Sequence, residues 1–139
     1  MTPSRPGLAN AEARSALGWT VLRLVLAGLI AAHGWVRFTG GGVAPFGEWL
    51  TTQGVPFGFA VAASITALEI VGTVLLALRK AVVPLTLLYA LVYAVGIAMV
   101  HAPEGWFVVG RGRNGAEYSV LLIAALLCVG LQDWRRDRR

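Results

Sequence analysis

The stretch Phe57–Leu78, FGFAVAASITALEIVGTVLLAL, decides the reading of this chain. It is almost uninterrupted apolar sequence with one carboxylate, Glu69, near its middle. As a helix rising ~1.5 Å per residue it is long enough to cross a hydrocarbon core ~30 Å thick, which puts Glu69 deep in the bilayer. A charged side chain there costs roughly 2.5 to 3.5 kcal/mol on insertion scales, so Glu69 must face other helices and either stay protonated or find a partner. Ala62, Thr66, Gly72 and Thr73 share its helical face, and such small or hydroxylated groups permit close packing and hydrogen bonding to a buried acid.

The composition fits a chain that lives in lipid. Hydrophobic residues make up 57% and charged residues 14%, whereas soluble domains carry about a quarter charged residues. The mean hydropathy is +0.69. A length of 139 residues leaves room for about four spans with short loops and none for a separate soluble module. The expected fold is all-α: an integral membrane four-helix bundle with spans at about 17–38, 57–78, 81–100 and 117–131. A disordered cytoplasmic tail over 1–16 precedes the bundle, which runs over 17–132, and a basic cytoplasmic tail over 133–139 follows it.

The net charge of +5 does not mark a nucleic-acid binder, because the basic residues sit at the ends of apolar runs rather than in a patch interleaved with exposed aromatics. They report topology instead. Arg5, Arg14, Arg23, Arg79, Lys80, Arg135, Arg136, Arg138 and Arg139, nine of the 12 basic residues, fall on one side, against Arg37, Arg111 and Arg113 on the other. The positive-inside rule then places both termini in the cytoplasm. The first run resembles a signal peptide, with Ala31 and Ala32 as a cleavage-like pair, but it continues past them and is read as an uncleaved span. Arg23, a turn inside that span, either snorkels to the headgroups or pairs within the bundle. The single cysteine, Cys128, excludes an intrachain disulfide or a CxxC redox pair.

Two loops face outward in this topology. In 39–55 a Gly40–Gly42 turn is followed by Pro45, apolar Phe46, Trp49 and Leu50 at i, i+3 and i+4, and Gly54, the pattern of a short amphipathic helix on the membrane surface. It reads as a lid or as a connector. In 102–116, Gly110, Gly112 and Gly115 spell a formal GxGxxG after a strand-like Trp106–Val109. A dinucleotide site needs a βαβ sheet, and here a membrane span comes next. Tyr89 and Tyr93 of the third span are candidate inward hydrogen-bond donors beside the small-residue stripe Ala90, Ala94 and Ala98.

In this arrangement His33, Arg37, His101, Arg111, Arg113 and Glu117 gather at the outer end of the bundle above Glu69. Sequence assigns Glu69 no direct partner. No HxxxH or ExxH spacing points to a metal, and Cys128 lies toward the opposite face from both histidines. A proton-linked or quinone-facing cluster suits the residue types better, since histidine, with an ordinary pKa of ~6.5, can move protons near neutrality. The candidate catalytic residues are Glu69, His33 and His101; the candidate binding residues are Arg37, Arg111, Arg113, Glu117 and Tyr93. Glu117 also has a purely structural explanation, as an acid favoured in a first helical turn by the helix dipole.

At these residues the chain resembles the DoxX family of small four-span bacterial membrane proteins. The likeness rests on Arg23, on His33-Gly34 followed by a basic residue, on Glu69 with Gly72 and a leucine-rich run, on Ala94 to His101, and on Gly115-Ala116-Glu117-Tyr118. Arg37 stands where lysine is expected, and an arginine-rich tail replaces a glycine-rich end. The resemblance implies a bacterial plasma membrane protein linked to redox metabolism, like the membrane subunits of thiosulfate:quinone oxidoreductase or the membrane partners of superoxide- and thiol-handling enzymes. Three roles follow as expectations. One is a redox-linked subunit with an outer site for a quinone or small anion. Another is a non-catalytic scaffold recruiting a soluble redox enzyme, alone or as a homo-oligomer. The last is a small-solute or proton transporter, for which no broken helix or clear inverted repeat is present.

Overall fold

A computed structural model describes residues 6–109 and 113–134. Arg5, Arg111, the glycines Gly110 and Gly112, and the arginine tail from Arg135 to Arg139 lie outside the described residues. Among the described residues there are five helices and no strand. The first, α1, is Pro6–Thr39, and α2 is the short Val43–Thr52. Next comes α3, Gly58–Ala77, whose α-helical halves are separated by a π turn at Leu68–Gly72. Then α4, Val82–Glu104, is α-helical to Gly96, widens to a π turn at Ile97–His101 and tightens to a 3₁₀ turn at Ala102–Glu104. The last, α5, is Glu117–Asp133.

Three of these, within Asn10–Thr39, Gly58–Ala77 and Val82–Glu104, are long and apolar enough to cross a membrane. With 17 residues, α5 stands at the lower end of spanning lengths. Large apolar side chains clothe the helices on the outside as well as the inside: Leu24, Leu29, Val71, Val74, Leu87, Leu91 and Leu121 are all exposed. A contiguous apolar exterior of this kind is what a lipid solvent requires. Leu26, Ile30, Leu76, Leu85, Tyr89, Leu122, Leu126 and Val129 form the buried core between α1, α3, α4 and α5.

Three boundaries differ from the sequence expectation. Residues 6–16, expected as disordered tail, are helical, because Pro6 suits a first helical turn and Ala11, Glu12, Ala13, Arg14 and Ala16 are good helix formers. Asp133, expected in the tail, ends α5 and is buried, accepting from Arg79 Nε at 2.8 Å. Trp106–Val109 forms no strand. The loop doubles back instead, with Ala116 N donating to Gly105 O and Glu117 N to Trp106 O, each at 3.0 Å.

Two close approaches set the frame. The α3–α4 loop turns in four residues, Leu78 to Ala81, with Arg79 and Ala81 at positive φ (58° and 50°), and the bond from Arg79 to Asp133 helps hold the first of these. At the opposite end, α2 lies against the start of α3 because Gly47 and Gly58 face one another. A Cβ on Gly47 would meet Phe59 Cα at 2.6 Å, and one on Gly58 would meet Gly47 O at 2.2 Å. The end carrying α2 is called the upper end below, and the end carrying Arg79 and Asp133 the lower.

Candidate functional site at the upper end of the bundle

Helices α3 and α4 leave their tight loop packed together, Thr73–Ala77 against Val82–Gly96. They cross where Tyr89 Oη donates to Leu68 O at 2.8 Å. That carbonyl lies in the π turn, where widening the helix alters the regular hydrogen-bond ladder. Above the crossing the two helices part company. α4 packs chiefly on α5 along its length, while the upper part of α3 packs on α1 and α2. The gap is a cavity of about 300 Å³, within the range of small-ligand sites.

Glu69 sits in this cavity wall, carried by the π turn and 5% exposed. Its partner is Arg37 of α1, whose Nη1 donates to Glu69 Oε2 and, at 3.2 Å, to Thr66 Oγ1. The Thr66 hydroxyl gives its own hydrogen to Ala62 O at 2.7 Å, which leaves its oxygen free to accept from the guanidinium. Arg37 reaches this position because α1 and α3 touch through Gly34, where a Cβ would lie 2.8 Å from Glu69 Cβ. The guanidinium also lies 4.7 Å from the ring centroid of Phe46, and Phe46 stacks on Trp49. The ion pair is thereby tied to the cover formed by α2.

Phe46, Trp49 and Leu50 of α2 line the upper part of the cavity, and Ile65, Val92, Val95, Gly96 and Met99 line its flanks. His33 and His101 also line it, His101 from the second π turn. His101 Nδ1 lies 2.7 Å from Asn114 O. A carbonyl only accepts, so Nδ1 carries the hydrogen, and in the neutral ring Nε2 is the acceptor. Tyr93 completes the lining. Its hydroxyl is buried and has no hydrogen-bond partner among the described residues.

The structure thus brings Glu69, His33, His101, Arg37 and Tyr93 to one cavity and leaves two other candidates aside. Glu117 Oε1 accepts from Val108 N at 3.0 Å and steadies the returning loop, away from the cavity. Arg113 is exposed on that loop, and Arg111 lies outside the described residues. Asn114, at φ 60°, was not legible as the residue that orients His101. The apolar positions Phe46, Trp49 and Leu50 of the loop helix were legible, though not what they would face. Arg23 is buried at 6% exposure rather than reaching to the surface. Among the described residues no group of three or more His, Cys, Asp and Glu side chains is placed to hold a metal ion.

Five helices, three of them fit to cross a bilayer, around a core that opens into a polar-floored cavity at one end describe a small multi-pass membrane protein. The DoxX family profile matches residues 18–102, more than half of the 139, and the chain belongs to that family. His33, Arg37, Glu69, Tyr93 and His101 all fall inside the matched range, whereas Gly115–Tyr118 falls beyond it. No curated protein and no solved structure matches the chain.

Proposed function

We propose that this DoxX-family protein is a redox-linked membrane subunit whose upper cavity binds the head ring of a quinone, with Glu69 and the two histidines handling its protons. The observation that carries the reading is the buried, unpartnered hydroxyl of Tyr93 in a cavity that also holds the Arg37–Glu69 pair. An unsatisfied buried hydroxyl costs about 1–3 kcal/mol, a cost that a ligand oxygen would offset. Charge favours a neutral ring over a small anion. Arg37 is neutralised by Glu69, and Arg113 stands outside the lining. Most of that lining is apolar, with a few convergent polar groups, as small-molecule sites usually are.

Tyr93→Phe separates this role from a packing role. It removes only the orphan oxygen, so the melting temperature should hold or rise, while retention of ubiquinone or menaquinone by the purified protein falls at least about tenfold, ~1.4 kcal/mol. Unchanged retention would remove Tyr93 from any ligand site. The scaffold reading keeps one observation of its own: Trp106, Phe107, Val108 and Val109 form an exposed apolar run on the upper loop. Replacing Phe107 and Val109 with serine would abolish capture of a soluble redox enzyme under that reading and leave quinone retention intact under ours.

A further inference from the structure

The cavity is covered above and open at the side. Above, α2 supplies Phe46, Trp49 and Leu50, with Leu50 buried at 5% exposure, and the loop is tied to His101 through Asn114 O. Below, the α3–α4 crossing closes it with the Tyr89 bond to Leu68 and with Gly72, whose Cβ position lies 2.5 Å from Tyr89 Oη. Between these two closures the wall consists of Ile65 on α3 and Val92, Val95 and Met99 on α4, helices that have diverged at this level. Val95 lines the cavity and is also 48% exposed on the outside of the helix bundle. Both helices are long and apolar enough to be spans, so this flank faces hydrocarbon.

Resting on the quinone reading above, we infer that the cavity is entered sideways from the bilayer, between Ile65 and Val92–Val95, by a ligand that carries a long hydrocarbon tail. The ring seats among Arg37, Glu69, Tyr93 and His101, and the tail stays in lipid outside the gap. Arg37, Glu69 and Tyr93 converge at the inner part of the cavity and apolar side chains border its α3–α4 flank, which is the order in which an amphiphile presents its two ends. A water-soluble ring entering from above would have to pass Phe46, Trp49 and the tied loop.

Two measurements on the full chain in phosphatidylcholine nanodiscs test this. A nitroxide attached at Val92→Cys in Cys128→Ala protein should collide with oxygen far more often than with a water-soluble nickel chelate. The opposite order would show a water-filled entrance and overturn side entry, whether or not quinone binds. Val95→Trp, placed on the exposed flank, should narrow the gap. Association of decyl-tailed ubiquinone should then slow at least about tenfold more than association of the same ring without a tail. Equal slowing of both, or of neither, would overturn the side entrance. If unsubstituted protein binds neither quinone although the nitroxide faces lipid, the quinone reading itself fails and takes this ligand with it.

Discussion

Glu69 has one direct ionic partner among the described residues, Arg37, and the two side chains are not symmetric in environment, at 7% and 21% exposure. Removing the arginine leaves a carboxylate stranded among apolar side chains, whereas removing both charges strands nothing. Arg37→Leu should therefore destabilise by about 3 kcal/mol, and the double replacement Arg37→Leu with Glu69→Leu by distinctly less. Thermal unfolding in one detergent for all four members of the cycle reads this directly, and additive losses would mean that the pair does not interact. Glu69→Gln should fold, and Glu69→Lys, facing Arg37, should not assemble. Gly34 belongs to the same contact. A methyl there would need about 0.6 Å more room than the 2.8 Å available to reach ordinary carbon contact, so Gly34→Ala should cost about 1–3 kcal/mol despite its better helix propensity. His33→Ala, by contrast, alters an exposed residue and should leave the melting temperature within a few degrees while weakening quinone retention at least about tenfold.

At the scale of elements, the two π turns matter most. One carries Glu69 and the other His101, and each turn borders the same cavity. Tyr89 bridges the first turn to α4 through Leu68 O, with its hydroxyl in the space that Gly72 leaves open. Tyr89→Phe should lose about 1 kcal/mol for that bond. Gly72→Ala should cost more, because the added Cβ falls 2.5 Å from the Tyr89 oxygen. Combining the two relieves the closest clash, although Leu68 Cδ1 at 3.0 Å and Leu85 Cδ2 at 3.2 Å remain tight. The double variant should therefore be more stable than Gly72→Ala alone, and a melting temperature lower than that of either single variant would contradict the contact.

For the whole molecule, the basic residues predict an orientation that the helices alone do not carry. With nine of 12 basic residues falling, by their order in the sequence, on the opposite side of the spans from the loop holding Arg113, that loop should lie outside the cell. A cysteine introduced at Arg113 in Cys128→Ala protein should react with an impermeant maleimide on intact cells. Failure to react there, with reaction at Arg139→Cys instead, inverts the orientation. The lower end is fastened by Arg79, whose Nε bonds Asp133 at 2.8 Å and joins the α3–α4 turn to the end of α5. Asp133→Ala should lower the melting temperature by several degrees with no effect on quinone retention, since the site is at the other end.

Apolar run length, the position of Glu69 and the charges between runs were enough to read an all-helical membrane bundle, because a bilayer leaves a chain few other ways to satisfy its backbone. The loop helix was also legible, from Pro45 and the spacing of Phe46, Trp49 and Leu50. What the linear pattern did not contain was depth. Counting rise along separate helices placed Glu69 below the polar cluster, between possible partners, and assigned it no direct pair, but helices cross and meet where small residues allow, and Gly34 brings α1 onto Glu69 so that Arg37 reaches it. The π turns, the parting of α3 from α4 and the bond from His101 Nδ1 to Asn114 O are likewise products of packing among distant segments. They turn five scattered polar residues into one cavity. Which helix surfaces meet depends on all of their side chains at once, and no local periodicity encodes that sum.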